Sequence, residues 1–190
     1  FTISGGKATL GNKGKFIYSS DKKGNITNST DMEMLSTATD GENYGIYATG
    51  TVINSGKIEF TKGKGNVGIY ATEDGDITNS GNINLTTATP NVGEGLVGIS
   101  VDNTSTATND GTITVSTKNS TGISGKGGQI TNNNKIILNN INSVGISSTD
   151  GSVFNSADTN NLIEVKNSNS VGIFAKITEN APFPLQTIFN

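Results

Sequence analysis

The sequence predicts an all-β fold: a right-handed parallel β-helix, a solenoid of about 23 residues and three short strands per coil. Three observations carry that prediction. A five-residue phrase recurs six times, a second phrase follows it about ten residues later, and apolar residues within both alternate with the period of a strand.

The first phrase reads Tyr44-Gly45-Ile46-Tyr47-Ala48, Val67-Gly68-Ile69-Tyr70-Ala71, Val97-Gly98-Ile99-Ser100-Val101, Thr121-Gly122-Ile123-Ser124-Gly125, Val144-Gly145-Ile146-Ser147-Ser148 and Val171-Gly172-Ile173-Phe174-Ala175. Its glycines lie 23, 30, 24, 23 and 27 residues apart, so length variation gathers in the turns. Alternation places Val67, Ile69 and Ala71 on one face of a strand, and Gly68 and Tyr70 on the other. The second phrase reads Val52-Ile53-Asn54-Ser55-Gly56-Lys57-Ile58 and Ile77-Thr78-Asn79-Ser80-Gly81-Asn82-Ile83, with further versions around Asn109, Asn132 and Asn155 and an earlier one at Ile26-Thr27-Asn28-Ser29. Here Ile77 and Asn79 are expected to point one way, and the Ser-Gly corner leads into a third strand carrying Ile83 and Leu85.

A unit this short cannot bury its own apolar face, so each coil must stack on the next. Stacking turns the repeats into columns. Ile46, Ile69, Ile99, Ile123, Ile146 and Ile173 form an internal ladder of β-branched side chains. Asn28, Asn54, Asn79, Asn109, Asn132 and Asn155 form a corner ladder, with amides bonding along the stack and a residue type that tolerates left-handed backbone. Gly56, Gly81 and Gly111 are expected at positive φ in that corner. The column of Gly45, Gly68, Gly98, Gly122, Gly145 and Gly172 is expected to face outward as a stripe without side chains. Six to eight coils at about 4.7–4.9 Å each make a rod of roughly 30–40 Å. The repeat occupies residues 1–180 as a single segment, while residues 181–190, with Pro182, Phe183 and Pro184, read as a cap or a linker.

Composition narrows the function. The 190 residues carry a net charge of -3, with 32% hydrophobic and 6% aromatic residues and no His, Cys or Trp. All 13 basic residues are Lys, and Gly, Asn, Thr and Ser together make up half the chain. Without His or Cys there is no Ser-His or Cys-His dyad, no haem or zinc site of the usual kind and no disulfide framework. Without Arg, on a net-acidic chain, nucleic acid is not an expected partner. No apolar run approaches the roughly 20 residues a membrane-spanning helix needs, so no membrane insertion by this segment is expected. No cofactor or metal is called for.

The paired phrases V-G-I-Y-A-T and I-T-N-S-G-x-I, from about Gly24 to Ala175, resemble the passenger regions of the large fusobacterial autotransporter adhesins. Those are type V secreted surface proteins with a β-helical passenger and a C-terminal outer-membrane barrel. The resemblance implies an extracellular, cell-surface location, tethered by a barrel that is not part of this segment. It also implies attachment to a host-cell receptor or glycan, or to the surface of another bacterium. It carries over no binding residue, because the shared motif is the structural repeat.

Candidate ligand-binding residues come from two sources. Tyr47 and Tyr70 would sit one above the other on the outside of the rod, as a platform for sugar rings or as plain cross-rung packing. The long stretches Met32–Glu42 and Thr86–Leu96 project where other coils are short, and the second offers Pro90 and Glu94. Glu73-Asp74-Gly75-Asp76, with Asp102 and Asp150 at comparable corners, would suit calcium or a glycosidase acid–base pair. Asp and Gly are equally ordinary turn residues, and the calcium repeat G-G-x-G-x-D is missing. Lys57, Lys62 and Lys64 read as a solvated loop. The expected function is therefore non-enzymatic adhesion, with a carbohydrate-active β-helix enzyme and a passive stalk as alternatives.

Overall fold

The computed structural model describes residues 2–4, 6–8, 13–35, 42–86, 95–156, 162–178 and 188–189. It contains three parallel sheets and no helix among the described residues, wound as a β-solenoid of about six turns. The fold is the parallel β-helix that the repeats predict. The first sheet stacks Thr2–Ile3, Asn25–Asn28, Thr51–Asn54, Asp76–Asn79, Thr106–Asn109, Gln129–Asn132, Ser152–Asn155 and Ile188–Phe189. The second stacks Gly6–Ala8, Met32–Leu35, Ile58–Lys62, Ile83–Leu85, Ile113–Val115, Ile136–Leu138 and Ile163–Val165. The third stacks Lys15–Ser19, Tyr44–Ala48, Val67–Ala71, Val97–Asp102, Thr121–Lys126, Val144–Thr149 and Val171–Lys176. No helix among these residues is long and apolar enough to cross a membrane.

The core is a set of vertical columns, because a parallel register sets each residue above its counterpart one coil away. In the third sheet Ile17, Ile46, Ile69, Ile99, Ile123, Ile146 and Ile173 stand in register. The second sheet faces them with Met32, Ile58, Ile83, Ile113, Ile136 and Ile163 and, two residues on, Met34, Phe60, Leu85, Val115, Leu138 and Val165. Most of these side chains are fully buried.

At the corner between the first and second sheets the buried asparagines form one continuous amide ladder. Each Nδ2 donates to the Oδ1 of the next rung: Asn28 to Asn54 at 2.7 Å, Asn54 to Asn79 at 2.7 Å, and Asn79 to Asn109, Asn109 to Asn132 and Asn132 to Asn155 at 2.8 Å. The same Nδ2 also donates to the carbonyl two residues ahead, as Asn79 does to Gly81 at 2.9 Å. Both protons of the buried amide are thereby satisfied.

Three expectations about backbone are corrected. The ladder asparagines are not left-handed, and neither are Gly56, Gly81 and Gly111; none is among the positive-φ residues. Those glycines are needed because the coils approach closely: a Cβ on Gly81 would lie 2.1 Å from the carbonyl oxygen of Gly56. Left-handed backbone instead flanks the third sheet, before it at Lys13, Glu42, Gly65, Gly95, Asn119, Asn142 and Asn169 and after it at Glu73, Asp74, Asn103, Gly127 and Asp150. The Gly68 column faces inward rather than outward. A Cβ on Gly68 would meet the Gly98 oxygen at 2.5 Å and the Phe60 ring at 3.4 Å. Because Gly68 and Ile69 both point into the core, the strand bends between them and simple alternation fails. Val67 consequently lies level with Tyr44 on the outer side, not with Ile69 and Ala71.

Candidate functional site

The third sheet sets the outer positions one residue after each ladder isoleucine in a single column: Tyr18, Tyr47, Tyr70, Ser100, Ser124, Ser147 and Phe174. Tyr47 and Tyr70 stack on adjacent rungs with ring centroids 4.9 Å apart, inclined at 50°. Tyr18 extends the stack below Tyr47 at 5.6 Å. The bend at the glycine brings in a fourth ring: Tyr44 stands edge-on to Tyr47 at 5.3 Å and tilted against Tyr70 at 5.4 Å. All four tyrosines of the chain therefore form one cluster on one outer face. Lys15, in register with Tyr44, lays its ammonium 4.7 Å from the Tyr18 centroid and 4.3 Å from that of Tyr47.

The rim of this face is acidic and internally committed. The Tyr70 hydroxyl donates to Asp102 Oδ2 on the next rung. Burial, then that hydrogen bond, pushes the Tyr70 phenol well above its ordinary value. Burial raises Tyr44 and Tyr47 as well, helped by Glu42 for the former and Asp102 for the latter. Tyr44, Tyr47 and Tyr70 thus stay neutral and protonated through the physiological range. Glu42 pairs with Lys13 at 3.5 Å and Glu73 with Lys22 at 3.3 Å.

Neither Tyr18, Tyr44 nor Lys15 is flagged by the repeat phrase alone. A signal for two of them exists, since Lys15-Phe16-Ile17-Tyr18-Ser19 is a degenerate first copy with Phe in the glycine position. Tyr44 becomes visible only once the strand is known to bend. Pro90 and Glu94 lie outside the described residues, as does most of each long stretch, namely 36–41 and 87–94. So does the expected cap or linker, apart from Ile188–Phe189, which pair with Val153 and Phe154.

The carboxylates serve as rung-to-rung braces. Asp74 accepts from the Thr104 hydroxyl, and Asp76 from that of Thr106 at 2.6 Å. Asp150 accepts the Thr178 N–H at 2.6 Å and its hydroxyl at 2.8 Å. No cluster of three or more acidic side chains suited to a metal occurs among the described residues. Lys57 is held by Glu59 at 2.7 Å.

Residues 60–160, just over half of the chain, match the family model described as the BigA third pectate lyase-like domain. The chain belongs to that family. The matched span of this BigA-type domain includes Tyr70 and the serine column and leaves Lys15, Tyr18, Tyr44 and Tyr47 before it. Comparison with curated proteins and with solved structures returned no match.

Proposed function

We propose that the chain is a segment of a bacterial surface adhesin, an autotransporter passenger of the fusobacterial type. On this reading it attaches to a host cell or a partner bacterium by recognising surface glycans through its tyrosine face. The family match supports a bacterial surface protein, and the repeat phrases support the autotransporter class. The observation that carries the recognition step is the gathering of all four tyrosines on one outer face. The exposed Tyr18 ring and the half-buried Tyr44, Tyr47 and Tyr70 rings supply apolar area for the C–H faces of sugars, and their hydroxyls supply polar edges. A single shallow site of this kind is weak, and many copies on one cell raise its effect through avidity.

The test is direct binding of the labelled chain to epithelial cells, partner bacteria and a glycan array, with a β-helix of similar composition as control. The comparison protein is the Tyr47→Ser/Tyr70→Ser variant, chosen because serine fills that column on the next three rungs. Saturable binding by the parent chain and its loss in the variant are expected. Absence of binding on every surface would make the segment a spacer and overturn the reading; equal binding by the variant would remove the tyrosine face from it. A second reading, a carbohydrate-active enzyme, draws on the family's pectate lyase-like description and on Asp74 and Asp76.

A further inference from the structure

Resting on the glycan-binding reading, we propose that the tyrosine face selects a saccharide bearing a negatively charged group, and that Lys15 is the residue that selects it. Lys13 and Lys22, the other lysines with partners beside this face, are each matched by a carboxylate, Glu42 at 3.5 Å and Glu73 at 3.3 Å. Lys15 is matched by none among the described residues. Its ammonium rests over two rings at 4.3 and 4.7 Å, which hold it in place without cancelling its charge.

Two of the three carboxylates nearby are paired with a cation, and the third meets a neutral hydroxyl that leaves its charge uncancelled. Glu42 and Glu73 are in those ion pairs, and Asp102 accepts the Tyr70 hydroxyl. What the face offers an incoming ligand is therefore three stacked rings on successive coils and one uncommitted cation at their edge. An extended sugar chain lying along the rod would pack on the outward parts of Tyr18, Tyr47 and Tyr70 and set hydroxyls against Ser100, Ser124 and Ser147, which continue the column. A carboxylate or sulfate on a unit near Tyr18 or Tyr47 would meet Lys15. A neutral sugar would leave that ammonium unused, and a cationic ligand would be repelled by it.

The test measures affinity of the full chain for sialyllactose, sulfated lactose and lactose, at low and raised salt, and repeats it with Lys15→Met. Methionine keeps an unbranched stem over the rings and removes only the charge. At least one anionic sugar is expected to bind about tenfold more tightly than lactose, the scale of one charge-assisted contact. That preference should shrink with salt. In Lys15→Met the anionic sugar should fall to the level that lactose shows with the same variant. The carboxylated and sulfated probes separate the two sources of charge. Equal binding of all three sugars by the parent chain, or a preference that survives Lys15→Met, overturns the role of Lys15 while leaving the aromatic platform intact. No binding of any sugar overturns both.

Discussion

Replacing Asn79 with alanine tests the claim that the amide ladder, rather than the turn conformation, is what its corner requires. Asn79 donates to Gly81 O at 2.9 Å and Asn109 Oδ1 at 2.8 Å, and accepts from Asn54 Nδ2 at 2.7 Å. At about 1 kcal/mol net for each bond, the direct loss is about 3 kcal/mol. Asn54 keeps its bond to Gly56 O, but the fully buried Asn109 Oδ1 loses its donor, which adds about 1–3 kcal/mol. The expected cost is therefore about 4–6 kcal/mol, a large fraction of an ordinary domain's stability. Denaturant unfolding measures that cost against the parent chain. Amide exchange locates it, since a solenoid transmits a defect mainly to neighbouring rungs. Faster exchange should centre on the strands of Asn54, Asn79 and Asn109. A cost below about 1 kcal/mol for Asn79→Ala would refute the ladder as the stabilising element.

Two glycines should respond in opposite ways. Gly68→Ala must push Gly98 O away from 2.5 Å and is expected to cost about 1–3 kcal/mol in thermal unfolding, whereas Gly95→Asn should stay within about 0.5 kcal/mol. Gly95 sits at φ 68°, where among the described residues a new Cβ meets nothing nearer than Asn119 O at 4.0 Å, in the left-handed column that Asn119 and Asn142 already fill. Hydrogen bonds from the Thr178 N–H and then its hydroxyl lower the Asp150 pKa. A depressed folded value gives stabilisation that is present above the unfolded pKa and lost as pH falls through the folded one. The Thr178 amide resonance should therefore report loosening only below about pH 4, and Asp150→Ala should abolish that dependence. Asp74→Asn/Asp76→Asn should leave cell and glycan binding unchanged; a polygalacturonate-cleaving activity present in the parent and absent in this variant would favour the enzyme reading.

The ladders were legible because a stacked repeat places residues of equal phase above one another, whatever the turn lengths between them. Ile69 and Asn79 need no structure to be assigned to columns. The orientation of the glycines was not legible. Alternation assumes a flat strand, and Gly68 lies where the strand bends so that two consecutive residues face the core. The left-handed column was hidden for a different reason: Lys13, Glu42, Gly65, Gly95 and Asn119 share a backbone conformation but no side-chain chemistry. At the site, Tyr47 and Tyr70 could be paired from their repeat phase, while Tyr44 joins them only through that same bend.

The ladder columns and the outer column of the third sheet differ in what the scaffold asks of them. The buried column of Met34, Phe60, Leu85, Val115 and Leu138 varies with packing, whereas the isoleucine ladder and, from Asn28 to Asn155, the asparagine ladder keep one identity. The outer column does not: it is tyrosine for three rungs, serine for three and then phenylalanine. The coils from Ser100 to Ser147 keep the same parallel register without any aromatic ring. Stacked rings are therefore not needed to hold the rod together, and ring pairs worth about 0.5–1.5 kcal/mol each add little to a core that is already buried. An island of four tyrosines and a lysine on the same few coils, where the fold asks for none, is the part of the molecule that a binding function best explains.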